Sequence, residues 1–342
     1  MKQETNRLNA QSQEALDRDP QITFGQLVVG LTSAADWRDV CVLITGARGF
    51  IGARLCQRLV QAGAIVHAVT SRADLSGLSS AVAWSTVDLT DLDAVGQMVR
   101  GHTPDVVFHL ASHVTGSQAL VEVERTFAQN LVTTVHLLTS AAEVGGCRVV
   151  LAGSMQEPDR NDTEGVPVSP YAVSKWASTA YARMFHRLYE FPVVVARLMM
   201  VYGPGQWDVT KLVPHVTTSL LDGRSPSLSS GTRIIDWVYV DDVVDGLITL
   251  AMTAGAEGKT VDLGSGILTS IRDIVEQLSG LIGSSPQLTF GGIPDRPFDR
   301  PVAARTDETR LLTGWSAETA LADGLGKTVE WYRSVWEPEK LG

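Results

Sequence analysis

From Val40 onward, short apolar runs alternate with segments of helical length, a pattern that few folds accept. The strand-length runs are Val40–Thr45, Ile65–Val69, Trp84–Leu89, Val106–Leu110, Arg148–Ala152 and Val193–Leu198. Between them lie Ile51–Ala62, Asp91–Val99, Thr126–Val144 and Tyr171–Tyr189, all with helical periodicity. Strands that are apolar throughout are buried on both faces, so the pattern predicts an α/β fold with a doubly wound parallel sheet between helical layers. After Met200 the pattern loosens. A Gly203-Pro204-Gly205 turn, a helix over Lys211–Leu221, a strand over Ile234–Val240 and a helix with Asp241 as N-cap are expected, followed by a Pro- and Arg-rich loop, Pro294–Pro301. The chain therefore divides into an extension of unknown role (1–38), a nucleotide-type sheet (39–199) and a smaller, mainly substrate-binding α/β region (200–342).

Composition narrows the function. With 28 Lys+Arg against 38 Asp+Glu the chain carries a net charge of −10 and has no basic block, which argues against nucleic acid as a partner. An anionic ligand then needs a local site, because the overall field repels it. No apolar stretch approaches the ~20 residues of a membrane span, and the polar N-terminus lacks the apolar core of a secretory signal, so a cytoplasmic location is expected. Cys41, Cys56 and Cys147 are odd in number and widely spaced, so they read as reduced core residues and not as a disulfide framework or a metal site.

Chemistry enters at Thr45-Gly46-Ala47-Arg48-Gly49-Phe50-Ile51-Gly52, where the first strand meets the first helix. Glycines at 46, 49 and 52 permit a tight turn, close approach of a pyrophosphate and close helix–sheet packing, and the helix N-terminus offers N–H groups to the anion. This makes the sheet Rossmann-type. The end of the second strand reads Thr70-Ser71-Arg72, with no carboxylate before Asp74. A carboxylate there would bind the ribose hydroxyls of NAD, whereas Arg72 can meet the 2′-phosphate of NADP; NADP is the leading expectation and NAD the alternative.

Tyr171 and Lys175 stand four apart on one helical face, and Ser154 follows a strand end. A tyrosine works as an acid or base near neutrality when its phenol, normally near pKa 10, is lowered, and an adjacent ammonium is expected to do that. Ser154 is placed to hydrogen-bond a substrate oxygen beside the phenol.

Together these motifs resemble the extended short-chain dehydrogenase/reductase family, in its nucleotide-sugar epimerase/dehydratase branch, from Val40 to about Tyr332. The marks are TGARGFIG (45–52), Asp88-Leu89, HLAS (109–112), Asn130, Ser154, YAVSK (171–175), VYGPG (201–205), DWVYVDD (236–242) and TGW (313–315). The resemblance implies cofactor contacts from the glycine loop, Ser71, Arg72, Asp88, Leu89, Leu110, Ala111, Ser112, Tyr171 and Lys175, with Asn130 as a buttress. It also implies a nucleoside-diphosphate sugar as substrate, contacted by Met155, Gln156, Met200, Lys211, Leu212, Arg233, Arg296 and Asp299. A homodimer through the helices Thr126–Val144 and Tyr171–Tyr189 follows from the same resemblance. His67, His109 and His113 have no companions at metal-ligand spacing and are assigned to packing; no metal is expected.

The departures are informative. Dehydratases of this branch carry Asp-Glu after the catalytic hydroxyl residue, and here Met155 and Gln156 follow Ser154. Neither performs the acid–base work of elimination, and the related decarboxylases look for Glu where Gln156 stands. Glu157 is read as a loop carboxylate. Met200 replaces an Asn that contacts substrate phosphate, and Ile235 replaces an Arg. The surviving reaction is hydride transfer at sugar C4. A 4-keto-sugar reductase leads and a 4-epimerase with tightly held NAD is the alternative. Further alternatives are a reductase of a non-sugar ketone and a non-catalytic binding member.

Overall fold

The computed structural model describes residues 37–75, 79–158, 165–283, 286–297 and 300–336. Residues 1–36 of the extension and Asp299 lie outside that set. Trp37, which falls within the expected extension (1–38), is buried at 1% exposure within the core.

The first half alternates as expected: β1 (Cys41–Thr45), α1 (Phe50–Gln61), β2 (Ile65–Thr70), β3 (Ala83–Thr86), α2 (Leu92–His102), β4 (Val106–His109), α3 (Val121–Thr126), a π-helical turn (Phe127–Val132), α4 (Thr133–Val144), β5 (Arg148–Ser154), α5 (Pro170–Tyr189) and β6 (Val193–Leu198). Then follow β7 (Met200–Tyr202), α6 (Leu212–Leu221), β8 (Ile234–Tyr239), α7 (Val240–Met252), β9 (Thr260–Leu263), β10 (Leu268–Ser270), α8 (Ile271–Ile282), α9 (Thr306–Thr313) and α10 (Leu321–Val335).

Seven strands form one sheet in the order β3-β2-β1-β4-β5-β6-β9, every pair parallel. Period-2 alternation sorts the strand residues into two cores. Val42, Ile44, Phe108, Val150 and Ala196 face one side, while Leu43, Val107, Val149, Leu151 and Val195 face the other. Both sides are covered, which is why the runs look uniformly apolar. β1 pairs with both β2 and β4, so the order reverses there and the crevice for a ligand opens at the carboxyl ends of these strands.

A smaller sheet, β10-β8-β7, carries the second half; β7 runs parallel to β8 and β10 antiparallel. Asp236 in β8 is fully buried and ties this region together: its Oδ1 accepts from the Ser265 N–H and hydroxyl, and its Oδ2 from the N–H groups of Gly266 and Ala304.

Two local expectations are corrected. Asp241 is not the N-cap of α7. β8 runs directly into that helix at Tyr239, and Asp241 lies in the first turn, where it pairs with Arg54 of α1 at 3.0 Å. The helix expected from Thr126 begins at Val121 and contains the π-helical turn, which carries Asn130 into the interior.

Candidate active site

Two structural elements converge on the carboxyl edge of the sheet. The first is the β1–α1 loop. Gly46 has φ +67°, and a Cβ there would stand 2.7 Å from the backbone of Leu110 and Ala111, so only glycine lets the loop pass the end of β4. A Cβ on Gly52 would collide with the Gly46 carbonyl. Gly49 is the N-cap of α1, the helix has no side-chain cap, and its first turn holds no acidic residue. That donor set, closed down to backbone thickness, fits the diphosphate of a dinucleotide.

At the end of β2 the Arg72 side chain is exposed, and its N–H donates to Thr70 Oγ1 at 3.1 Å. Arg48 crosses from the glycine loop to donate to the Asp74 carbonyl. The Arg48 guanidinium and the exposed residue Arg72 therefore flank the place where the sequence lacks a strand-end acid. Asp88 is exposed and is held low by hydrogen bonds from Thr90, while Leu89 is buried beneath it.

The second element is the Ser154–Tyr171–Lys175 group. Ser154 closes β5, and α5 starts at Pro170 with Ser169 as its cap, accepting from the Ala172 N–H at 3.1 Å. One turn along this helix separates Tyr171 from Lys175, and Ser154, Tyr171 and Lys175 are all buried. Tyr171 hydrogen-bonds Ser154 through its side chain. Burial pushes the Tyr171 phenol up to about 12; the Ser154 contact opposes this and the Glu157 charge adds to it. In the chain alone desolvation of the phenolate sets this direction, and the lowering expected from Lys175 is not among its causes. Burial pulls Lys175 down to about 8 against the upward pull of Glu157.

Glu157 is not a solvated loop carboxylate. It is buried, its Oε1 accepts from the Ser154 N–H at 2.7 Å, and its own N–H donates to the Ser154 carbonyl at 3.1 Å. The signal for it was Arg197, a cation inside the otherwise apolar run of β6.

Asn130 links the helices to the loop after β4. Its Oδ1 accepts from the His113 N–H at 2.7 Å and the Ser112 hydroxyl at 3.1 Å, and its Nδ2 donates to Ser174 Oγ at 2.9 Å. His109 is buried between Thr45 Oγ1, at 2.7 Å, and Thr134 Oγ1, at 3.2 Å; burial and the nearby Lys175 charge lower it to about 3, so it is neutral. Among the described residues no cluster could hold a metal ion, and all three cysteines are free.

The substrate-side residues divide. Met155 is buried beside Ser154, and the Gln156 carboxamide accepts from the Ser169 hydroxyl at 3.3 Å. Lys211 Nζ donates to the Val114 carbonyl at 3.3 Å, and the Arg296 guanidinium lies where a Cβ on Gly116 would be, so both cations reach the loop after β4. Leu212 opens α6, next to Lys211. Met200 is half-buried in β7. Arg233 stands before β8, its carbonyl accepting from the Ile271 N–H at the start of α8.

The fold and this constellation define a dinucleotide-dependent enzyme of the short-chain dehydrogenase type. Residues 42–264 match the NAD dependent epimerase/dehydratase family, and the chain belongs to that family. It is 33% identical over 316 residues to the UDP-glucose 4-epimerase of Mycolicibacterium smegmatis, covering 85% of this chain and 98% of that one. It is 29% identical over 343 residues to the dTDP-glucose 4,6-dehydratase of Shigella flexneri, covering 85% and 92%. The crystal structure of Bordetella bronchiseptica WbmF in complex with NAD+ and UDP superimposes with a TM-score of 0.76 at 27% identity, covering 89% of this chain and 94% of that one. No helix among the described residues is long and apolar enough to cross a membrane.

Proposed function

We propose that the protein reduces the 4-keto group of a nucleoside-diphosphate sugar, with NADPH as an exchangeable reductant. The observation that carries this reading is the corner at the end of β2, where Arg48 and Arg72 stand in place of a carboxylate. Two guanidinium groups suit a 2′-phosphate, which NAD lacks. When bound, NADPH supplies a hydride to the ketone carbon.

The chain's own residues do the rest. Tyr171 gives its phenol proton to the ketone oxygen as the carbonyl becomes an alcohol, and its raised affinity for protons keeps it in the donating form at neutral pH. Ser154 hydrogen-bonds the same oxygen and fixes its distance from the phenol. The Lys175 ammonium offsets the negative charge left on Tyr171 until a proton returns from solvent. Lys211 and Arg296, gathered on the loop after β4, supply the local positive field for a diphosphate on a chain of net charge −10. Elimination of water is disfavoured because Met155 is apolar, Gln156 is tied to Ser169, and the Glu157 carboxylate is engaged beneath Ser154.

A second reading is a 4-epimerase. Its support is the likeness to the Mycolicibacterium UDP-glucose 4-epimerase over 98% of that protein. The same Ser154, Tyr171 and Lys175 would act twice, first removing and then returning a proton, with NAD kept throughout. In either reading we infer a homodimer through α3–α4 and α5, whose Val123, Phe127, Val173 and Trp176 are exposed apolar residues. Sedimentation of the purified chain at twice its monomer mass is the expected result.

The experiment is turnover of UDP- and dTDP-4-keto sugars with NADPH and with NADH. The reductase reading predicts consumption of NADPH with kcat/KM at least ~10-fold above NADH, the equivalent of one charge-assisted contact. Conversion of UDP-glucose to its C4 epimer with no added nucleotide would replace it with the epimerase reading.

A further inference from the structure

Beneath the Tyr171–Lys175 pair runs a row of buried charges that hydride transfer alone does not call for. Glu157 is within electrostatic reach of Lys175 and Tyr171 of α5 and of Arg197 of β6. Arg197 in turn holds Asp262 of β9 by two hydrogen bonds of 2.7 Å. The sheet register sets this row, since Gly153 pairs with Arg197 and Arg197 with Asp262. Burial pushes the Glu157 carboxyl up, against the Ser154 N–H, the Thr179 hydroxyl and the Lys175 and Arg197 charges that pull it down; ionised, it makes the signs alternate along the row: ammonium, carboxylate, guanidinium, carboxylate.

The space for Glu157 is specific. A Cβ on Gly153 would stand 2.7 Å from Glu157 Oε1 and 2.9 Å from Val195 Cγ1, so glycine one residue before the end of β5 leaves the room that the carboxylate fills. The turn it closes is tight: Glu157 N–H donates to the Ser154 carbonyl, Ser154 N–H donates to Glu157 Oε1, and Gln156 N–H donates to Ser154 Oγ at 3.2 Å. Moving Glu157 therefore moves the hydroxyl at which the ketone would be held.

Charge gives the carboxylate a second task. A buried ammonium with no counter-charge is driven to its neutral form. Asp262 is already committed to Arg197, to the Arg305 N–H at 3.0 Å and, through its carbonyl, to Thr309. The other titratable group that faces Lys175 is His109 of β4, which is neutral and brings no negative charge. Among the described residues Glu157 is the only buried glutamate, and its field acts directly on Lys175.

We propose that Glu157 is a positioning residue for proton transfer, its carboxylate fixing the Ser154 turn and supplying the buried negative charge that keeps the Lys175 ammonium charged beside Tyr171. This rests on Tyr171 and Lys175 being the proton-transfer pair, which the reductase and epimerase readings share.

The test is Glu157→Gln, which keeps an oxygen for the Ser154 N–H and removes only the charge. Removing an opposite charge that acts on a buried ammonium lowers the pH at which Lys175 gives up its proton by about 1–2 units, so the alkaline limb of kcat for ketone reduction moves down by that amount. Glu157→Asp keeps the charge but is a methylene short of Ser154, and is expected to lower kcat with the limb unmoved. A limb at the wild-type pH in Glu157→Gln, whatever the fall in kcat, would overturn the proposal.

A second measurement needs neither a variant nor a substrate. Isotope-edited infrared spectroscopy of the full chain labelled with 13C-glutamate separates carboxylate from carboxylic acid. At neutral pH the expected spectrum has no acid carbonyl band. Such a band would come from a protonated Glu157 and would end the proposal, even if the chain proved to reduce no sugar.

Discussion

Asp236→Asn replaces one oxygen of a fully buried carboxylate by an NH2 group. Asp236 Oδ1 receives the Ser265 N–H and hydroxyl at 2.8 and 2.7 Å, and Oδ2 receives the N–H groups of Gly266 and Ala304 at 2.9 and 2.8 Å. Asparagine keeps one of these pairs and points donors at the other. Each lost bond to a charged acceptor costs about 1.5–3 kcal/mol, and two give about 3–6 kcal/mol. That is a large part of a total stability of about 5–15 kcal/mol. With a urea m-value of about 3 kcal/mol per molar, the unfolding midpoint falls by about 1–2 M. Coincidence of the circular dichroism and tryptophan fluorescence transitions in both proteins is the check that a single midpoint can be compared. Ala304 ends the segment that brings Arg296 to the loop after β4, so KM for a diphosphate substrate should rise more than kcat falls. A midpoint within about 0.2 M of wild type, under ~1 kcal/mol at that m-value, would refute the idea that this carboxylate joins β8 to the two segments.

Acid stability should carry the signature of His109. Below about pH 6.5 the unfolded chain protonates this histidine, while the folded chain resists until about pH 3, so stability rises with pH through that window and levels off above it. Lowering the pH from about 6.5 to about 5 should cost about 2 kcal/mol in the wild type, and pH-dependent thermal melts of His109→Gln should lack that slope. Arg48→Ala and Arg72→Ala should each raise KM for NADPH by about 10- to 100-fold and leave KM for NADH within about twofold; equal losses for both cofactors would remove the 2′-phosphate assignment. Tyr171→Phe should lower kcat by about 10²- to 10⁴-fold with an unchanged circular dichroism spectrum, and a smaller effect would shift proton transfer elsewhere.

The parallel sheet was legible because its strands are buried on both faces, and β6 lies at Val193–Leu198 as expected. The glycine loop and the order Ser154, Tyr171, Lys175 stand out in the sequence because each depends on local spacing. Glu157 was hidden for the opposite reason. Its meaning comes from Lys175 and Arg197, which only the packing of α5 and the β5–β6 register bring to it. Charged residues inside apolar runs were the available sign: Arg197 in β6, Asp236 in β8 and Asp262 in β9 each proved to be a paired or fully hydrogen-bonded group. The π-helical turn had no sequence signal at the level of periodicity, since its i→i+5 bonding is confined to the six residues Phe127–Val132, too short a stretch for a period to show. The Asp241 cap was misplaced because an acidic first turn satisfies the helix dipole as well as a cap does, and the ion pair with Arg54 decides between them.

The most direct measurement is the identity and amount of nucleotide released when freshly purified protein is denatured, read by mass spectrometry. An exchangeable NADPH predicts a site that is empty or holds substoichiometric NADP(H) removable by gel filtration. One equivalent of NAD per chain, retained through purification, would contradict the assignment at Arg48 and Arg72 and make a closed epimerase cycle the account of this site.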